Sequence, residues 1–468
     1  MLQQFVACPA GNGIHAAQMS ASAAFALRQR VGVALTCAAF IWCAPAIAAK
    51  DDDGLFDIDK IDLPESTSAK SWVGFVEFGA AYSYDNPAHW SKLRPRLDIG
   101  RSGRLGDGVK WKIGARADVD LAYTAGNDFY NADVRRDQRA GFMLRENYLD
   151  FRAFGLDMRV GRQHVVWGEM VGLFFADAVS ARDMREFFLP EFDQMRIPQW
   201  AVRSEYFNGN FHAELLWVPY PSFDKFGRPG ADFFPMPNLV PGQQPVINEE
   251  VKPARKLRNS NYGLRMNYLW NGWDVSAFYY RSLDVNPVFV RATTGGTDTY
   301  TPLHDWIHQW GGTFSKDLGE FLLKGEGVLT YDRRVQVSTP TADGGLARQK
   351  MLDYAIGAEF ALPGEGRMTL QYFERVHLDP TPGLLAKAHE PGWALLVNKK
   401  FGGGWEGEIL GVQSLSRSDW MLRPKLDWNF ARNWRARFGV DAFGGNRSGF
   451  FGRFGNSDRV YTEVRLSF

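Results

Sequence analysis

Cysteine is almost absent from the 468-residue chain. Its three copies, Cys8, Cys37 and Cys43, all precede residue 44, so the remainder has no disulfide framework and no thiolate metal site. An excess of charge of one sign is missing too. The 54 Lys and Arg residues nearly balance the 53 Asp and Glu residues, for a formal net charge of +1, so there is no electrostatic footprint for nucleic acid. Long apolar runs are also lacking. Mean hydropathy is −0.29, which rules out a membrane protein built from apolar helical 20-mers. No G-x-S-x-G, H-E-x-x-H or Walker pattern occurs. His304 and His308 have i,i+4 spacing, but they fall across a loop-to-strand junction, so no catalytic residue, metal or other cofactor is expected.

What is present begins with an export signal. Arg28 and Arg30 precede the 13-residue apolar run Val31–Cys43, and Ala46-Ile47-Ala48 supplies small residues for cleavage. Residues 1–48 therefore read as a signal peptide, with Met19 as an alternative start. Residues 49–71 read as an acidic periplasmic tail, and 72–468 as one large structure.

That structure announces itself by period two. Val109, Trp111, Ile113, Ala115, Ala117, Val119, Leu121 and Tyr123 alternate with Lys110, Lys112, Gly114, Arg116, Asp118, Asp120 and Ala122. One face is dry and the other charged, which only a strand produces. Eighteen such segments follow one another, at 72–82, 92–101, 109–123, 142–154, 155–168, 198–207, 210–219, 261–270, 273–283, 306–316, 320–332, 351–362, 366–377, 392–401, 405–416, 419–429, 433–443 and 458–468. Connections alternate between short turns, such as Asn208-Gly209 and Asn271-Gly272, and long loops. The fold class is thus all-β: a transmembrane antiparallel β-barrel of about 18 strands, or 16, with short periplasmic turns and long extracellular loops. A soluble sandwich also alternates, but it would bury one phase of each strand. Phe468 ends the chain on the lipid-facing phase. A terminal aromatic resembles the signal read by bacterial barrel-assembly machinery. The implied location is the outer membrane of a Gram-negative bacterium, in contact with the bilayer and lipopolysaccharide.

Pointing the polar phase inward predicts a lumen polarised across its width. One wall collects Lys92, Arg94, Arg96, Lys110, Lys112, Arg116, Arg423, Lys425, Arg435, Arg437 and Arg465. The opposite wall is acidic, with Glu146, Asp150, Glu205, Glu214, Glu326, Asp353, Glu359, Glu406 and Glu408. Such a field orients dipolar solutes, although the same charges serve equally to pair with neighbours and hydrate the wall. The long loop 169–197 carries Glu169, Asp177, Asp183, Glu186 and Phe187; it either folds inward as a constriction or packs on the outer rim. The loop at 220–260, with Phe223, Phe226, Phe233 and Phe234, either covers the mouth or stays exposed.

Residues 145–200 hold the most specific local pattern: Arg145-Glu146-Asn147-Tyr148-Leu149-Asp150, Gly161-Arg162-Gln163 followed by Trp167-Gly168-Glu169, and Arg182-Asp183-Met184-Arg185. This resembles a proteobacterial outer-membrane barrel family of unknown function with a G-R-Q-x-x-x-W-G-E motif, related to porin and alginate-export-like barrels. The resemblance implies a transport barrel, with some members working beside envelope lipoproteins and exporters of hydrophobic compounds. It places Arg162, Gln163, Trp167 and Glu169 at the entry to the long loop, where Arg162 pairs with Glu169 or Asp183. Passive passage of a small-molecule solute is the leading functional expectation. The alternatives are a partner-assisted conduit for hydrophobic or amphipathic compounds and, last, a barrel enzyme.

Overall fold

The computed structural model describes residues 72–124, 128–168, 170, 175–236, 245–338 and 343–468. The signal peptide, the acidic tail, the cysteines and Glu169 lie outside the described residues.

Eighteen strands close into one antiparallel barrel. They are β1 (Val73–Ser83), β2 (His89–Leu105), β3 (Val109–Val119), β4 (Ala140–Leu144 and Asn147–Ala153, interrupted between them), β5 (Leu156–Gln163), β6 (Gln199–Asn208), β7 (Phe211–Tyr220), β8 (Asn261–Trp270) and β9 (Trp273–Leu283). The circuit continues with β10 (Trp306–Asp317), β11 (Phe321–Gln336), β12 (Leu346–Leu362), β13 (Gly366–His377), β14 (His389–Gly402), β15 (Trp405–Ser414), β16 (Asp419–Ala431), β17 (Trp434–Gly445) and β18 (Arg459–Ser467). Closure is made by β1 and β18, from Phe75 opposite Ser467 to Ser83 opposite Arg459. Phe468 extends this seam by exchanging two 2.9 Å backbone bonds with Gly74. Closure matters because an open edge would leave peptide groups unpaired in hydrocarbon.

The two phases separate as the alternation requires. Val76, Phe78, Leu97, Ile113, Leu215, Ile356, Leu370 and Ile409 are exposed on the outside. On the inward phase Glu77, Lys92, Arg96, Arg116, Glu214, Glu326, Asp353 and Asp441 are buried. A surface of large apolar groups wrapped around a charged interior suits lipid outside and polar contents within. Among the described residues no helix is long and apolar enough to cross a membrane, which has no bearing on a barrel. Tight turns join the strands at one end. At Asn271-Gly272 both residues have positive φ, 49° and 77°, the backbone that favours a two-residue hairpin and that Asn and Gly tolerate best. Trp405 and Trp428 stack near this end at 4.9 Å.

Two strands stop sooner than their alternation predicts. β3 ends at Val119, and Leu121–Tyr123 forms a single 3-10 turn capped by Asp120. Tyr123 is therefore not lipid-facing but buried against Tyr130 at 4.6 Å. β5 ends at Gln163, and the chain then turns into the barrel, burying Val165 and Trp167. Apolar residues entering a folded-in segment continue the alternation without belonging to the wall. A hairpin in the β9–β10 loop, Val288–Thr294 with Thr297–Leu303, was not expected from sequence.

Candidate functional site

Between Gln163 and Gln199 the described residues fold into the barrel rather than onto its rim. The charged walls hold it there. On the basic side, Glu186 meets Arg94 at 2.6 Å, Lys92 at 2.7 Å and Arg459 at 3.2 Å. Burial pushes the Glu186 carboxyl up, but Arg94, Lys92 and Arg459 outweigh it and hold the group well below the usual carboxylate range. Glu191 pairs with Arg437, and with Lys425 at 3.4 Å. Its carboxyl is low for the same reason: Lys425, Arg437 and Arg435 overcome its burial. Neutral groups add to the clamp. Arg423 donates to the carbonyls of Phe188 at 3.0 Å and Leu189 at 2.5 Å. Arg116 and Arg96 each reach Gln194 at 2.7 Å, at its carbonyl and its side-chain oxygen respectively.

On the acidic side the loop offers donors instead. Glu326 Oε1 accepts the amides of Phe175 at 3.0 Å and Ala176 at 3.3 Å. Glu214 Oε1 accepts the Trp167 indole N–H at 2.9 Å. The loop thus crosses the lumen, presenting carboxylates to one wall and N–H groups to the other. These contacts with individual wall side chains are what fix its orientation. Ion pairs of this burial are weak sources of net stability, but breaking one leaves an uncompensated buried charge.

Within the loop, Asp177 is buried between Arg182 at 3.4 Å and Arg196 at 3.3 Å. Asp183 pairs with Arg185 at 2.7 Å. Burial raises the Asp183 carboxyl, but Arg185 and Lys225 bring it down to about 2. Above these charges lies an apolar cap. Phe187, buried, packs at 4.7 Å from both Phe188 and Phe454 and at 5.2 Å from Phe450. Phe233, from the long 220–260 loop, reaches Phe454 at 5.6 Å. The cap continues onto the inward phase of the wall through Phe373, Met421 and Phe443.

The other wall residues are arranged as local pairs. Lys112 meets Glu146 at 2.5 Å, Arg465 meets Glu77 at 2.5 Å, Arg159 meets Asp150 at 2.6 Å and Arg375 meets Asp353 at 2.6 Å. Arg203 meets Glu205 at 2.8 Å, Lys425 meets Glu408 at 2.9 Å and Lys324 meets Glu359 at 3.3 Å. Lys110 faces Asp150 in register and Glu406 faces Asp427. Arg435 and Arg465 face each other.

Arg162 is a correction. Its Nε donates to the Leu144 carbonyl at 2.7 Å, and it shares the outward phase of β5 with Val160. It is not part of the constriction, and Asp183 is taken by Arg185. The reason is alternation along β5: Arg159 faces Asp150 inside, so Val160 and Arg162 point outward, while Gly161, with φ +135°, packs its Cα against β4, where a Cβ would stand 2.3 Å from the Asn147 carbonyl oxygen. His304 and His308 are also kept apart, one bonded to Glu250 and the Asp284 carbonyl, the other to Tyr279. Arg459 was overlooked, though it shares the polar phase of its strand with Glu463 and Arg465. Gln194 carries no sequence signal at all.

No functionally curated protein matches the sequence. Among solved structures, the barrel is similar to OccAB4 of Acinetobacter baumannii (TM-score 0.49, 10% identity, covering 85% of this chain and 97% of that one). It is similar also to OpdK of Pseudomonas aeruginosa, solved with vanillate (TM-score 0.47, 11% identity, 85% and 98%). A third is OmpF of Salmonella typhi in complex with daunomycin (TM-score 0.43, 10% identity, 85% and 97%). The model of a family described as proteins of unknown function, DUF1302, matches residues 75–378, and the chain belongs to that family.

Proposed function

We propose that this protein is an outer-membrane channel that passes small polar and amphipathic solutes through a lumen narrowed by the folded-in loop. The observation that carries the reading is the loop itself, clamped by Glu186 and Glu191 to one wall and by Trp167, Phe175 and Ala176 to the other. Barrels of 16 to 18 strands are wide enough to leave an aqueous passage, and a crossing loop sets its limiting width. The near balance of bases and acids on the walls favours weak ion selectivity. Phe468, exposed beside the closing seam, serves assembly by the barrel machinery. Swelling of liposomes carrying the purified protein tests the channel. Small sugars and amino acids should enter and large oligosaccharides should not; liposomes that do not swell with any solute would refute it.

A second reading follows from the apolar cap of Phe187, Phe233, Phe443 and Phe454. Such a lining favours hydrophobic or amphipathic compounds handed on by an envelope lipoprotein or an exporter. Uptake and efflux of labelled apolar and polar solutes in a deletion strain separate the two readings.

A further inference from the structure

The barrel wall is incomplete at one place on its outer rim. The upper segment of β4, Ala140–Leu144, pairs with β3. On its other side β5 pairs only with the lower segment, beginning at Asn147 opposite Arg162, and then turns inward after Gln163. Among the described residues no strand covers the second edge of Ala140–Leu144. Arg162 bonds the first open carbonyl of that edge, Leu144 O. Phe142 on this segment is 73% exposed.

A cavity of about 950 Å³ lies against the neighbouring strands β5 and β6, near the top of the range for small-molecule sites, roughly 300–1,000 Å³. Its floor is the lipid-facing surface of β5 and β6, through Val160, Trp200 and Val202. Its roof is the 220–260 loop and the outer hairpin, with Phe223, Phe226 and Phe289. Its inner end meets Ile197, at the base of the folded-in loop, and Lys225 of the 220–260 loop. Asp137 lies there too, its carbonyl bonded by Arg185 at 3.0 Å. The cavity therefore has part of the outer face of the wall as its floor.

The polar lining is cationic. Lys252 pairs with Glu250 at 3.1 Å. Arg162, Arg228 and Arg255 also line the cavity, and among the described residues none of the three forms an ion pair. A half-buried arginine on the outer face of a barrel, with two more beside it and an apolar floor below, lacks only an anion with a tail. Arginine is the side chain best matched to phosphate, by its planar fork of donors.

We propose that this cavity binds a phosphorylated lipid of the outer leaflet, its acyl chains on Val160, Trp200 and Val202 and its phosphate among Arg162, Arg228 and Arg255. Arg162 joins the site to the open edge of β4, since its Nε already holds the Leu144 carbonyl. The inference rests on the outer-membrane reading but not on what the lumen carries.

The test is native mass spectrometry of the full chain, delipidated in detergent and titrated with lipid A, dephosphorylated lipid A or inorganic phosphate. One lipid A should be retained per barrel, at least tenfold more tightly than the dephosphorylated form. Inorganic phosphate should not displace it. Arg162→Gln with Arg255→Gln should weaken retention at least tenfold while leaving the channel's conductance unchanged. Arg255→Gln alone, at an exposed loop residue outside the strand ladder, should weaken it severalfold with the fold intact. Equal retention of both lipids, displacement by inorganic phosphate, or unaltered binding in the folded Arg255→Gln variant would overturn the proposal. A chain that conducts but fails these binding tests loses the lipid site and keeps the channel.

Discussion

Arg94 of the barrel wall and Glu186 of the folded-in loop meet at 2.6 Å, far apart in sequence and both largely buried. Lys92 and Arg459 crowd the same carboxylate. Three cations converging on one acid leave a large uncompensated charge when that acid is removed.

Glu186→Gln should therefore detach the loop rather than unfold the barrel. Removing one partner of a buried pair costs about 3–5 kcal/mol, and this cost falls on loop docking. Limited proteolysis should cut between residues 175 and 195 in the variant and not in the parent, while both keep the compact electrophoretic form of an unheated barrel. Equal protease resistance would show that the apolar cap alone seats the loop.

Phe187→Ala tests that cap. The ring is buried among Phe188, Phe450 and Phe454, and truncating such a residue costs about 3–5 kcal/mol. Permeation of amphipathic aromatic solutes should rise relative to that of small sugars. Solute entry in the same ratio as in the parent would remove the cap from the pathway.

Acid has one effect at Asp183 and Glu186 and the opposite effect at Asp458. Asp183 and Glu186 have lowered values in the fold, so their contribution is present above the ordinary carboxylate range and is lost as pH falls through the lowered values. The loop should stay docked at about pH 5 and release only in stronger acid. Asp458, just before β18, behaves the other way. Burial raises it, the Phe443 amide opposes, and Asp85 adds to the rise, to about 6. Its neutral form is the one the fold prefers, so stability is lost as pH rises through about 6. Asp458→Asn should raise the melting temperature near pH 8 and change it little near about pH 3, below the ordinary carboxylate range. A uniform shift at both pH values would contradict the assignment.

Gly161→Val should block assembly. Its φ of +135° is unfavourable for any L side chain, and the added Cβ would meet the Asn147 carbonyl oxygen at 2.3 Å. The expected result is loss of the heat-modifiable barrel form; an assembled, conducting variant would show that β4 and β5 can move apart.

The barrel was legible because lipid and water leave separate marks on alternate residues. Val109 to Val119 shows both faces outright, and every wall strand carries some version of that pattern. The inward charges were equally readable, since Lys92, Arg94, Arg423 and Arg437 all fall on the polar phase. What the walls do was not. The same bases hydrate a pore or grip a loop, and only the fold shows Glu186 and Glu191 brought to them across more than ninety residues. Strand ends failed where apolar residues leave the wall but stay buried, as at Tyr123 and Trp167. The G-R-Q stretch marked the right position, and the outward throw of Arg162 follows from its alternation with Val160, but no residue pattern marked the inward turn after Gln163.

The most direct measurement is single-channel conductance in planar bilayers, comparing the parent with the Glu186→Gln, Glu191→Gln double variant. The account predicts discrete openings in both, with a larger and noisier unit conductance once the loop is released. No openings in either protein, or identical conductance in the two, would contradict a lumen gauged by this loop.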